Sequence, residues 1–197
     1  MRTDVDVIAR AATGADADGL AQLFERANHR CHCRYWHFDG TTDEWLGRVF
    51  NTPDVNEEEF RAAVCSGAPE AQGVVALAGD EIVGWMKLAP AKSVQKLYAQ
   101  RLYRSLPCFN GDRAGVVTAG CFLVDPEWRR AGIASRLVGA GIELARSLGA
   151  NAIEAFPYSG ASPQDHQLWT GPEPVFATHG FSRVHEFDPY PVLRLAL

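Results

Sequence analysis

The sequence predicts an α/β (α+β) domain built on a central mixed, mostly antiparallel sheet with helices on both faces, and three stretches carry that expectation. Residues 115–124 have the β-branched and apolar content of a buried strand, and Asp125-Pro126 stops it. Ile133, Leu137, Gly141, Leu144 and Leu148 then recur on one helical face, which Gly149 can close. Residues 73–78 and 81–88, joined by Gly79-Asp80, read as a hairpin and hence as antiparallel sheet. Residues 151–156, ended by Pro157, form a strand that follows the helix and should lie parallel to the 115–124 strand.

The remaining elements fit around these. Residues 5–10 alternate as a first strand, and 13–18 open a helix with Leu20, Leu23, Phe24 and Ala27 on one face. Residues 43–50 and 55–64 are helical pieces, the second opening on Glu57, Glu58 and Glu59, which complement the helix dipole as a solvated start. Residues 91–106 stand before the central strand as a helical insertion, with Val94, Leu97, Tyr98, Leu102 and Tyr103 as its stripe, placed either to pack or to line a pocket. After residue 157 come a long polar loop with Tyr158, Asp165, His166 and Trp169, a short helix over 172–178, and two final strands within 181–197. One domain over residues 1–197 is expected, long enough to bury a full core.

A net charge of -5 argues against a nucleic-acid partner, since binding phosphate backbones draws on clustered Lys and Arg. No run approaches the ~18 apolar residues of a membrane span. Residues 1–4 lack the apolar core of a signal peptide, so a cytoplasmic chain with no membrane partner is expected. Five cysteines, Cys31, Cys33, Cys65, Cys108 and Cys121, read as reduced thiols rather than a disulfide framework. His29, Cys31, Cys33 and His37 are zinc-type side chains. Their Cys-x-Cys spacing is too tight, no second pair follows, and Arg30 and Arg34 would crowd a cation, so no metal is expected. Tyr35, Trp36 and Phe38 in the same loop suit either an apolar or cationic small molecule or a cap over the core.

The chemistry concentrates at Arg129-Arg130-Ala131-Gly132-Ile133-Ala134. A helix opening there combines unpaired backbone N–H groups, the positive dipole end and two guanidinium groups, which together make a phosphate site. Gly132 and Ala134 let a pyrophosphate approach the backbone, while the arginines supply charge. The Walker loop and the dinucleotide fingerprint are both absent.

Arg129-x-x-Gly132-x-Ala134 behind a strand, with Gly180-Phe181 downstream, resembles the coenzyme A pyrophosphate loop of the GNAT superfamily of N-acetyltransferases. The resemblance implies strands splayed around a coenzyme A site and acetyl-CoA as cosubstrate. It implies cofactor contacts from Leu123, Val124, Arg129, Arg130, Ala131, Gly132, Ile133, Ala134, Ser135 and Phe176, and acceptor contacts from Tyr35, Trp36 and Phe38. The acetyl group would pass directly to a primary amine of a small molecule or peptide; the competing class is a silent coenzyme A sensor. A homodimer is compatible with it. Many relatives place a tyrosine general acid where this chain has Phe176. Glu154 and then His166 are the expected bases, with Tyr158 as a substitute acid.

Overall fold

The structure is a computed structural model describing residues 6–197, so Val5, expected in the first strand, lies outside the described residues. Strands β1 (Val7–Ala11), β2 (Gly73–Ala78), β3 (Glu81–Pro90), β4 (Val116–Val124), β5 (Ala152–Ala155), β6 (Ser182–His185) and β7 (Val192–Ala196) form one seven-stranded sheet in the order β1-β2-β3-β4-β5-β7-β6. All neighbours are antiparallel except β4 and β5, the pair that the intervening helix makes parallel.

Helices α1 (Ala17–Arg26), α2 (Thr42–Asn51) and α3 (Pro53–Cys65) precede β2, a four-residue α4 (Gln95–Tyr98) follows β3, and α5 (Ile133–Ser147) and α6 (Glu173–Thr178) follow β4 and β5. Side-chain alternation along the strands serves both faces. Val75, Leu77 and Trp85 meet Leu20, Leu23 and Phe24 of α1 and Phe60 of α3. Val74, Ala76, Met86 and Leu88 meet Ile133, Leu137 and Val138 of α5. Helix α5 sits close on β3 because Gly84 and Gly141 carry no side chain: a methyl on Gly84 would overlap Ile133, and one on Gly141 would overlap Met86.

Two expectations are corrected. The helix expected to open at Arg129 begins at Ile133, because Arg130 (φ 62°) and Gly132 (φ 78°) adopt left-handed backbone that no α-helix continues. The 91–106 stripe is not one helix but a 3₁₀ turn, the short α4 and further turns. A continuous helix would set Leu102 over Tyr98. Instead the Tyr98 hydroxyl is drawn to Glu154 while Leu102 remains 47% exposed.

Glu154 explains that tertiary override. In cross-strand register it lies between Thr118 of β4 and Arg194 of β7, and its side chain is fully buried. The carboxylate accepts from both Nη atoms of Arg113 at 2.8 and 2.6 Å, from Arg194 at 2.5 and 3.1 Å, and from the Tyr98 hydroxyl at 2.7 Å. Arg113 also lies over the Tyr98 ring, 4.6 Å from its centre, and Arg194 donates to the Cys108 carbonyl. One buried charge thereby joins three strands to the 98–113 segment. Removing one member of such a set strands the other charges. Glu154→Gln is therefore expected to lower the unfolding free energy by ~2–4 kcal/mol, read from urea titration. A loss below ~0.5 kcal/mol would show the network to be incidental.

Candidate active site

The turn after β4 is held from two sides. The buried Asp125 carboxylate accepts from the Glu127 backbone N–H at 2.9 Å and from Arg26 Nε of α1 at 2.6 Å, while Arg26 also donates to the Ile82 carbonyl. Trp128 is buried beneath the loop and joins the α5 core. Gly132 then caps α5 with no side-chain acceptor, so the first amides of the helix point outward. A methyl on Gly132 would meet open space, so packing does not require the glycine. Its left-handed φ and its place on a cavity wall do.

That cavity, about 770 Å³, lies between the loop, the end of α1 and the 163–175 segment. Of the residues expected at a cofactor, Leu123, Val124, Arg129, Arg130, Gly132, Ile133, Ala134 and Ser135 line it. Ala131 is exposed outside its wall, and Phe176 is fully buried, edge-on to Phe122 and Phe181. Phe122, not Phe176, is the ring on the wall. Arg129 donates to Asp165 at 2.6 Å, and Ser135 Oγ shares a hydrogen bond with His179 Nε2 at 2.9 Å. Positive charge thus meets a helix N-terminus at a concave surface, an arrangement suited to a phosphorylated ligand.

Strand pairing explains where the cavity leads. The parallel β4/β5 ladder ends at Ala119 opposite Ala155, although β4 runs on to Val124. At the same level the β3/β4 register slips between Met86 and Leu88, setting Gly120 and Cys121 against Lys87 alone. The strands therefore part at Gly120. A second cavity of about 180 Å³ opens there, lined by Gly120, Phe156 and Trp36, and Trp169 belongs to the walls of both cavities.

The candidate catalytic residues separate in space. Glu154 is occupied by Arg113, Arg194 and Tyr98, so the free base expected there is replaced by a structural anion. His166 is exposed on the large cavity wall. Tyr158 accepts at its hydroxyl from Gln167 at 3.1 Å and packs edge-on against Tyr190. Of Tyr35, Trp36 and Phe38, Trp36 lines the smaller cavity. Tyr35 and Phe38 pack against Trp45 of α2 and beneath Lys96, whose ammonium lies 4.6 Å from the Tyr35 ring centre. Trp169, Phe156 and the arginines around Glu154 share no sequence signal, because only the sheet brings residues so far apart in sequence together.

The thiol loop folds over the β4 bulge. The buried Lys87 ammonium donates to the Cys33 carbonyl at 3.2 Å and to His37 Nε2, and Cys31 Sγ lies 3.3 Å from His29 Nδ1. Among the described residues no three His, Cys, Asp or Glu side chains converge as metal ligands. Burial pushes the Cys31 thiol up to about 12 and raises Cys33, which keeps both protonated. Burial, with the Lys87 and Arg34 charges behind it, lowers His37 to about 3, and burial lowers His29 and His32 as well.

The strand, the arginine-bearing loop and the helix N-terminus beside a gap between parallel strands are shared with a family of acyltransferases. The sequence model of the acetyltransferase (GNAT) family matches residues 37–162, and the chain belongs to that family. A search of curated proteins finds no match. Solved structures share the fold. PaiA N-acetyltransferase from Thermoplasma acidophilum, in complex with coenzyme A, has 8% identity over 98% of this chain and 99% of its own, with a TM-score of 0.54. YncA from Salmonella typhimurium, with its cofactor acetyl-CoA, has 16% identity over 97% and 94%, with a TM-score of 0.53. A GNAT family acetyltransferase from Brucella melitensis, in complex with acetyl-CoA, has 14% identity over 98% and 88%, with a TM-score of 0.51. Among the described residues no helix is long and apolar enough to cross a membrane.

The neutral His37 gives the fold a pH dependence of definite sign. Its folded pKa lies below the unfolded value near ~6.5, so between these values only the unfolded chain takes up the proton. Stability is full above the unfolded pKa and falls as pH drops from ~6.5 toward about 3. Urea unfolding at pH 7, 6 and 5 should show this loss, and His37→Gln should make the slope shallower by up to ~1.4 kcal/mol per pH unit. An unchanged slope in the variant would place the acid sensitivity elsewhere.

Proposed function

We propose that the protein transfers an acetyl group from acetyl-CoA directly to a primary amine of a small molecule or peptide. The observation carrying this reading is the coincidence of the Arg129–Ser135 phosphate wall with the parting of β4 and β5 at Gly120. Arg129, Arg130 and the first amides of α5 would hold the pyrophosphate. The pantetheine arm would run along Leu123 and Val124, beyond the last residue of β4 that pairs with β5. The thioester then reaches the gap at Gly120, and the amine comes from the second cavity.

In that geometry the amine nitrogen attacks the thioester carbon, a C–N bond forms, the C–S bond breaks, and one amine proton is lost. A lysine-like amine has a pKa near ~10.4 and needs a base, whereas a thiol near ~8.5 leaves with little help. His166, exposed on the cavity wall, is the base this reading assigns, while Tyr158 lines neither cavity, so the sulfur leaves as a thiolate. Phe176 supports the Phe122 wall by packing.

Two outcomes test the reading. Acetyl-CoA should raise the melting temperature, and Gly132→Glu should abolish the shift by straining a left-handed position and setting negative charge at the pyrophosphate. Arg129→Ala and Arg130→Ala should each weaken binding by ~1–2 kcal/mol, these side chains being exposed. Wild-type titration by Gly132→Glu would end the cofactor assignment. For the base, His166→Gln should lower kcat at least ~10-fold while leaving acetyl-CoA binding intact. Retained kcat would leave proton removal to water. Acetyl-CoA binding without coenzyme A release across an amine panel would identify a sensor instead.

A further inference from the structure

The small cavity at the strand gap has a chemical character of its own. It is walled by Trp36, Trp169, Tyr103 and Phe156, with Trp36 and Trp169 stacked at 6.0 Å between ring centres and 30° between planes. Among the described residues no Asp, Glu, Lys, Arg or His side chain lines it. The Tyr103 hydroxyl donates to the Tyr190 carbonyl at 3.4 Å, and the Gln100 amide nitrogen donates to the Lys96 carbonyl at 3.0 Å. The Thr170 hydroxyl differs. Thr170 is 4% exposed, lines this cavity, and its Oγ1 is buried without a hydrogen-bond partner among the described residues. A buried hydroxyl left unpaired is disfavoured, so it marks a place where a ligand's polar atom belongs.

Size and charge then select the ligand. About 180 Å³ suits one compact ring, since an apolar cavity of roughly 150 Å³ holds benzene. A carboxylate, phosphate or second ammonium placed here would be stripped of water with no counter-charge on the wall. Aromatic walls offer the edge and face contacts a ring prefers. The floor at Ala119 and Gly120 is where β4 and β5 part, so a short chain from the ring carries its amine toward the thioester gap.

We infer that the acceptor is an arylalkylamine: one primary amine on a short linker to a compact, uncharged aromatic body, with a polar atom of the acceptor bonded to Thr170. This rests on the acetyl-transfer reading and narrows it, setting aside diamines, amino acids and other acceptors charged away from the reacting nitrogen.

The experiment compares coenzyme A release from acetyl-CoA with 2-phenylethylamine, phenylalanine and 1,4-diaminobutane, with acetyl-CoA binding measured separately by calorimetry. The expected result is a kcat/KM for 2-phenylethylamine at least ~100-fold above the two amines that carry a second charged group, the scale on which an unpaired buried charge discriminates. With 4-(2-aminoethyl)phenol, whose uncharged ring hydroxyl can pair with Thr170, Thr170→Val should raise KM ~5-fold or more with acetyl-CoA affinity unchanged. Leu102→Trp, a change at a half-exposed position on the cavity rim, should also raise KM and spare acetyl-CoA binding. Acetyl-CoA binding together with equal or better turnover of phenylalanine or the diamine would overturn the inference and leave acetyl transfer standing. An unmoved KM in both variants would overturn it as well. Absence of acetyl-CoA binding would instead strike the acetyl-transfer reading on which it rests.

Discussion

The fold around the site depends on a single buried carboxylate. Glu154 sits on a four-residue strand, too short to order its neighbours through backbone pairing alone, and its side chain is fully enclosed. A charge in that position is tolerated only with charged partners and filled lone pairs, which Arg113, Arg194 and Tyr98 supply. The consequence is geometric. β4, β5 and β7 are clamped at the level of Thr118, Glu154 and Arg194, and β4 and β5 separate just beyond, after Ala119 and Ala155. The clamp thus sets the level at which the two strands part.

The same clamp governs the segment between β3 and β4. Tyr98, Arg113 and the Cys108 carbonyl all connect to the carboxylate or to its arginine partner, so this stretch is held over the sheet without a long helix of its own. Its Leu97 and Tyr103 then close the small cavity against Phe156 and Trp169. On the other side of the gap, Asp125 and Arg26 fix the turn into α5, and the close seat of α5 on Gly84 holds its N-terminus against the sheet. The two cavities share Trp169, and rigid elements set their separation.

Local chemistry explains what could be read early. The hairpin, the β4 breaker at Asp125-Pro126, the α5 stripe and the loop glycine express preferences of neighbouring residues, and each lies where periodicity and turn chemistry put it. The loop residues lining the large cavity fall within 123–135, a span over which local patterns operate. Glu154 shows the converse. A lone acidic residue in an apolar strand reads as a base at a cleft, yet its partners lie at positions 98, 113 and 194, distances along the chain over which no pattern operates.

What the sequence by itself determined is the order of the hairpin, β4, α5 and β5, the parallel return of β5, and an arginine- and glycine-bearing loop that resembles the GNAT kind, because these follow from backbone propensity, breakers and spacing within about a dozen residues. Tertiary structure decided the rest: that Arg130 and Gly132 turn left-handed before the helix, that Tyr35 and Phe38 pack on α2 while Trp36 reaches a cavity, and that Glu154 is an anchor. Those outcomes depend on which buried charge finds which counter-charge and which ring fills which space. Both become defined only when strands distant in sequence stand side by side.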